Sequence, residues 1–175
     1  MKRVSRSVGA MLLASSMGLA MLAQAQEQPE YRLKAAFLYN FIVFTEWPAD
    51  TGATLNLCIH GTDPFGKELD ALQGGAAGPR SLALHRRPTA DGLKGCQVVF
   101  VAANAIGSLP RVLEEVRDRA TLVVADSPGA ARQGAALNMT VAQDKVRFEA
   151  NLQAARSARL SLSSKLLRLA IEVYP

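Results

Sequence analysis

The chain has 175 residues, 49% hydrophobic and 20% charged, with a formal net charge of +5. Three of its basic residues, Lys2, Arg3 and Arg6, lie in the first 25 residues, which hold no acid, so the remainder carries only +2. A surplus that small leaves no basic footprint for a nucleic acid, and nucleic acid is excluded as a partner.

Residues 1–25 read as a secretion signal. Lys2, Arg3 and Arg6 form a basic start, Val8 to Leu22 an apolar stretch, and Ala23-Gln24-Ala25 a small-x-small cleavage site. The apolar stretch is shorter than the roughly 20 residues a bilayer span needs. The alternative is an uncleaved N-terminal anchor. The first cysteine is Cys58, which argues against a lipoprotein. The expected product is a soluble, exported, single domain over residues 26–175, long enough to bury its own core.

Six of the ten aromatic residues fall between Tyr31 and Trp47. Leu33, Phe37, Phe41 and Phe44 recur at helical spacing and predict a helix over 27–46, ended by Pro48. The face so defined belongs in a core. Leu38 and Ile42 widen it and leave a candidate dimer contact.

Leu55–His60 reads as a strand. In the turn Gly61–Gly66, Asp63 is placed to cap a helix Phe65–Leu72 that has Pro64 at its start. Gly74–Pro79 is a connector, and Ser81–Arg87 alternates as a half-exposed strand. Val98–Ala102 is a continuous apolar run fit for a central strand. Ser108 can cap a helix running from Pro110 to about Arg119. Leu122–Ala125 is a second buried strand, closed by the turn Asp126–Gly129. Residues 135–150 predict a hairpin that turns at Gln143-Asp144. Leu162, Leu166, Leu169 and Val173 share a face and predict an amphipathic helix over Leu160–Val173. The alternation argues an α/β fold: a Rossmann-like layered mixed sheet with helices on both faces, a C-terminal hairpin and a C-terminal helix.

Cys58 and Cys96 are the only cysteines. An even count in an exported chain suggests a pair, and two buried thiols are the alternative. A bond would close a 38-residue loop, worth about 4 kcal/mol by chain entropy.

Chemistry is sparse. His60 and His85 are the only histidines, and neither has a metal-ligand neighbour at i+2 or i+4. Asp63 and Asp126 both follow strands, where α/β proteins place ligand groups, but a cap and a turn residue account for them. No nucleophile, base and orienting group assemble, so no catalytic set, metal site or cofactor is expected. Lys145, Arg147 and Glu149 share one face of the second hairpin strand, which suits a solvated edge or a docking surface.

Several segments together resemble the YfiR-like family of periplasmic regulators. They are Tyr31-x-x-Lys34-Ala35-Ala36-Phe37-x-Tyr39-Asn40-Phe41 with Glu46-Trp47-Pro48, then Cys58 with Asp63-Pro64-Phe65-Gly66, and then Cys96-Gln97. Asp126 with Gly134, Arg147-Phe148-Glu149-Ala150-Asn151, Ala154-Ala155 and the run from Leu160 to Ala170 complete the set. The resemblance implies a periplasmic α/β domain, commonly a homodimer, with a disulfide at Cys58 and Cys96. It implies a repressor that binds the periplasmic domain of an inner-membrane diguanylate cyclase and lowers cyclic-di-GMP output. An OmpA-like outer-membrane lipoprotein can sequester such a repressor. A further cysteine pair of some members is absent, because Gly129 to Met139 contains no Cys. Partner or ligand contact carries over to Arg147, Phe148, Glu149 and Asn151. The competing reading is a periplasmic small-ligand sensor or carrier.

Overall fold

The computed structural model describes residues 30–87 and 89–175. The expected signal, residues 1–25, lies outside them. Helix α1, over residues 30–43, opens the described chain. It stops short of the expected 46. Thr45 Oγ1 donates to the Phe41 carbonyl at 2.6 Å and Trp47 Nε1 to the Ile42 carbonyl at 3.1 Å. These side chains occupy carbonyls that a helix end leaves orphaned. The next residues form β1, Thr45–Glu46.

Then come β2 (Thr54–His60), α2 (Lys67–Asp70), β3 (Ala76–Ala77), β4 (Arg80–Arg87), a 3₁₀ turn Ala90–Gly95 and β5 (Val98–Val101). A second 3₁₀ turn, Ala103–Ser108, leads into α3 (Leu109–Glu115), followed by β6 (Leu122–Ala125). The hairpin is β7 (Leu137–Ala142) and β8 (Lys145–Asn151). Its turn residues Gln143 and Asp144 have φ of 52° and 56°. Two left-handed residues suit the twist of a tight hairpin, and Asp tolerates that region best. Then follow α4 (Leu152–Ser157), β9 (Ser161–Leu162), α5 (Ser164–Leu167) and β10 (Glu172–Tyr174).

Eight strands form one mixed sheet in the order β10-β8-β7-β6-β5-β2-β4-β3. The run from β4 to β7 is parallel, β8 is antiparallel to β7, and β10 returns parallel to β8. β1 pairs separately with β9. The chain is thus a mixed α/β domain, as its alternating pattern implies. The expected C-terminal helix is present but shrinks to the single turn α5. Leu162 and Leu166 are buried as forecast, whereas Leu169 is 70% exposed.

Two apolar clusters sandwich the sheet. The first joins α1 and α2 to Leu57, Ile59, Phe100, Val124, Met139 and Phe148. The second joins α3 and the 3₁₀ turn Ala90–Gly95 to Cys58, Val99, Val101 and Val123. Adjacent strand residues thus serve opposite clusters, as the two-residue pleat requires. Cys58 and Cys96 form a disulfide with Cα atoms 5.9 Å apart, inside the second cluster. It ties β2 to the entrance of β5.

The buried face of α1 differs from the expected stripe. Lys34, Ala35, Leu38, Phe41 and Ile42 are buried, while Leu33 is 47% exposed. Leu38 and Ile42, expected to leave a dimer contact, sit at the centre of the core. Lys34 lies on this buried face, where its ammonium reaches Asp126, just past the end of β6, at 2.6 Å.

Candidate functional site

β8 alternates strictly. Val146, Phe148 and Ala150 are buried, while Lys145, Arg147, Glu149 and Asn151 face the other way. Phe148 is 1% exposed and packs on Phe41 with ring centroids 4.9 Å apart. It therefore supports the surface from beneath. The three charged residues share the face expected of them.

On that face the second apolar cluster stops: it includes no residue of β7, β8 or β10. In place of an apolar cover, the segment after β6 reaches over this face, through Ser127 to Asn138, Ala131 to Asn151 and Arg132 to Tyr174, and the face carries a polar network. Asn138, fully buried on β7, donates from Nδ2 to Glu149 Oε2 at 2.9 Å, and its Oδ1 accepts the Ser127 backbone N–H at 3.1 Å. Glu172 on β10 lies directly beside Glu149 in register. Like charges in that position repel. Tyr174 and Arg132 offset the repulsion. The Tyr174 hydroxyl donates to Glu172 at 2.7 Å and sits 3.5 Å from Glu149, while Arg132 Nε donates to the Tyr174 oxygen at 3.1 Å. The hydrogen bond to Glu172 raises the Tyr174 pKa above its ordinary 10. Arg147 has no ion pair with the described residues and is free to meet a partner.

Asn151 ends β8 and opens α4. Its Oδ1 accepts the Ala154 backbone N–H at 2.8 Å, an N-cap, and its Nδ2 donates to the Ala131 carbonyl at 2.7 Å. It lines a groove of about 420 Å³ with Arg117, Arg119, Arg132, Gln133 and Gln153. The sequence pattern named Arg147, Phe148, Glu149 and Asn151 but missed Asn138, Arg132 and Tyr174. Asn138 was placed in the first hairpin strand, where it lies, but without a role, and Tyr174 was left beyond an expected helix.

The isolated acids and histidines resolve structurally. Asp63 Oδ1 accepts the Phe65 N–H at 2.8 Å and its Oδ2 meets Arg86 at 2.5 Å. Asp126 holds Lys34 and accepts from Tyr31 at 2.8 Å. Ser108, expected as a helix cap, makes no capping bond; its Oγ lies 2.7 Å from His60 Nε2. His85 Nε2 lies 3.0 Å from Asn56 Oδ1.

A family model described as YfiR/HmsC-like matches residues 31–171. The chain belongs to the YfiR/HmsC-like family. That family is known for periplasmic regulation of diguanylate cyclases. Among functionally curated proteins no significant match was found. One solved structure, a conserved domain protein from Vibrio cholerae O1 biovar El Tor strain N16961, is similar with a TM-score of 0.48 and 9% identity. The alignment covers 82% of this chain and 60% of that one, so the chain spans less than two thirds of that structure's length. Among the described residues no helix is long and apolar enough to cross a membrane.

Proposed function

We propose that residues 1–25 are a cleaved signal and that residues 26–175 act in the periplasm as a non-enzymatic regulator. It binds the periplasmic domain of an inner-membrane diguanylate cyclase and holds cyclic-di-GMP synthesis down. The working unit is a homodimer, and an OmpA-like outer-membrane lipoprotein competes for it. What carries this reading is membership of the YfiR/HmsC-like family across residues 31–171. The polar face of β7, β8 and β10 supports it, because an ordered, charged sheet face with its network already formed costs little to present. Arg147, Glu149 and Asn151 form the contact, with Phe148 holding the strand from below.

The test is capture from membranes together with cyclic-di-GMP measurement in a deletion strain. The reading expects a cyclase in the bound fraction and raised cyclic-di-GMP in the deletion. No membrane protein captured, with cyclic-di-GMP unchanged, sinks it.

A second reading, a small-ligand sensor, draws on the groove of about 420 Å³ beside Asn151. That volume lies in the range of small-molecule sites. A ligand-dependent rise in melting temperature across a metabolite panel supports it, and no shift counts against it.

A further inference from the structure

The last part of the chain is unusual in its charges. Residues 151–171 contain Arg156, Arg159, Lys165 and Arg168 and no acid. Arg159 reaches Asp50 at 3.6 Å. Arg156, Lys165 and Arg168 make no ion pair or side-chain hydrogen bond with the described residues.

Two of them share a face with exposed apolar side chains. α5 turns its buried side, Leu166, inward. Backbone bonds from Leu169 to Leu166 and from Ala170 to Leu167 carry the turn on beyond the helix. Lys165, Arg168 and Leu169 therefore stand at i, i+3 and i+4 on one exposed strip, with Leu169 at its border with the buried Leu166. Leu169 is 70% exposed, the highest value among the large apolar residues of the described chain, and Ile171 follows at 52%. Glu172, next along the chain, is taken by Tyr174 and Arg132, Asp50 is taken by Arg159, and Glu46 lies opposite Ser161 on β1.

We infer that this face docks on an anionic phospholipid surface. Lys165 and Arg168 meet the phosphate headgroups, while Leu169 and Ile171 enter the boundary between headgroups and acyl chains. The charge pattern selects lipid over a protein groove. A basic pair flanking one or two exposed apolar tips, with no polar pocket between them, matches an extended anionic plane that has an apolar layer just beneath. A stretch without acids over 21 residues removes the repulsion that such a plane imposes on carboxylates. The inference deepens the regulator reading, since it holds the protein at the membrane that carries a cyclase.

The test uses the protein purified from the periplasmic fraction and two vesicle preparations, phosphatidylcholine alone and phosphatidylcholine with phosphatidylglycerol. Flotation is expected only with the phosphatidylglycerol vesicles, and weaker as salt rises. Replacing both cations, K165Q with R168Q, is expected to weaken vesicle binding about thirtyfold, or about 2 kcal/mol at 1.4 per decade, since each basic residue near such a surface contributes about one of these units. Leu169→Ser is expected to weaken it further without changing the melting temperature, because the side chain is exposed. Equal flotation with both vesicles, flotation with neither, or binding untouched by these variants overturns the inference. Capture of a cyclase from detergent solution is a separate readout. It can persist when vesicle binding fails, and it can be lost while vesicle binding remains, so the two readings fail independently.

Discussion

Lys34 is 3% exposed, yet it is charged and sits in the first helix. It is tolerated because Asp126 lies at 2.6 Å and Glu30 at 2.5 Å, with the Tyr31 ring 4.6 Å away. Removing one partner of a buried pair leaves a charge without compensation, which typically costs 3–5 kcal/mol. Asp126→Ala should therefore lose about 3 kcal/mol in urea unfolding, at the low end because Glu30 remains. The double change K34M with D126L should recover most of that, and a single-mutant loss under about 1 kcal/mol would refute the pairing's role. His60 gives a pH-dependent counterpart. It is 4% exposed, and burial holds its pKa below the ordinary 6.5, opposed by backbone groups of Thr89 and Arg87 and helped by the Arg111 charge. Below pH 6.5 the unfolded chain gains a proton that the folded chain resists. Stability is thus whole above that value and declines as the pH falls toward the lower folded pKa. The melting temperature should drop between about pH 7.5 and about pH 5.5, and His60→Gln should flatten the slope; an unchanged slope sinks the assignment. Neither residue announced its role in the sequence. Lys34 and Asp126 are 92 positions apart, and spacing rules see only neighbours on one element.

Elements whose partners are local were legible, and those defined by distant partners were not. The hairpin β7–β8 was readable because the alternation of Val146 and Phe148 with Lys145, Arg147 and Glu149 is local, and so was its turn at Gln143-Asp144. The central strands β5 and β6 were readable as unbroken apolar runs. Leu160–Val173 read as one helix because Leu162, Leu166, Leu169 and Val173 fit that period. The chain instead spends Ser161–Leu162 pairing with Thr45–Glu46, and Glu172–Tyr174 pairing with β8. Backbone pairing to another strand, whether β8 or the far more distant β1, has no periodic signature within the segment itself. α1 shows the same limit at finer scale. Its helical period was plain, but the buried side takes in Lys34 and leaves Leu33 out. The sequence stripe and the observed face differ most at Leu33 and Leu38, at 47% and 0% exposure. Leu38→Glu buries a carboxylate among Phe41, Leu57 and their neighbours and should abolish folding or cost more than about 4 kcal/mol. Leu33→Glu should stay within about 0.5 kcal/mol. Circular dichroism and denaturant midpoints decide it, and equal effects at the two positions would return the buried face to the Leu33 stripe.

At the scale of the molecule, the sheet is asymmetric, and the proposed docking surface rests on that asymmetry. Beneath β2, β5 and β6 both faces are covered, one by α1 and α2 and the other by α3 with the disulfide. Beyond β6 the apolar cover continues only on the α1 side, and the other face is partly covered by the segment that holds Ser127, Ala131 and Arg132. A half-sheet without an apolar cover needs polar side chains with satisfied partners, and the Asn138–Glu149–Tyr174–Arg132 network supplies them. The free group at its margin is Arg147. Arg147→Glu reverses a charge on an exposed site whose strand is anchored by Phe148, so the fold should keep its melting temperature. Capture of the membrane partner should weaken at least tenfold, because like charge set against a docking surface costs more than 1.4 kcal/mol. Cyclic-di-GMP should then rise toward the level of a deletion strain. Phe148→Ala makes the necessary contrast: truncating a core aromatic costs about 3–5 kcal/mol, so it should lose capture and stability together. If Arg147→Glu keeps full capture while Phe148→Ala loses it only in proportion to unfolding, the open half of the sheet is a solvated edge, and the partner binds where the helices are.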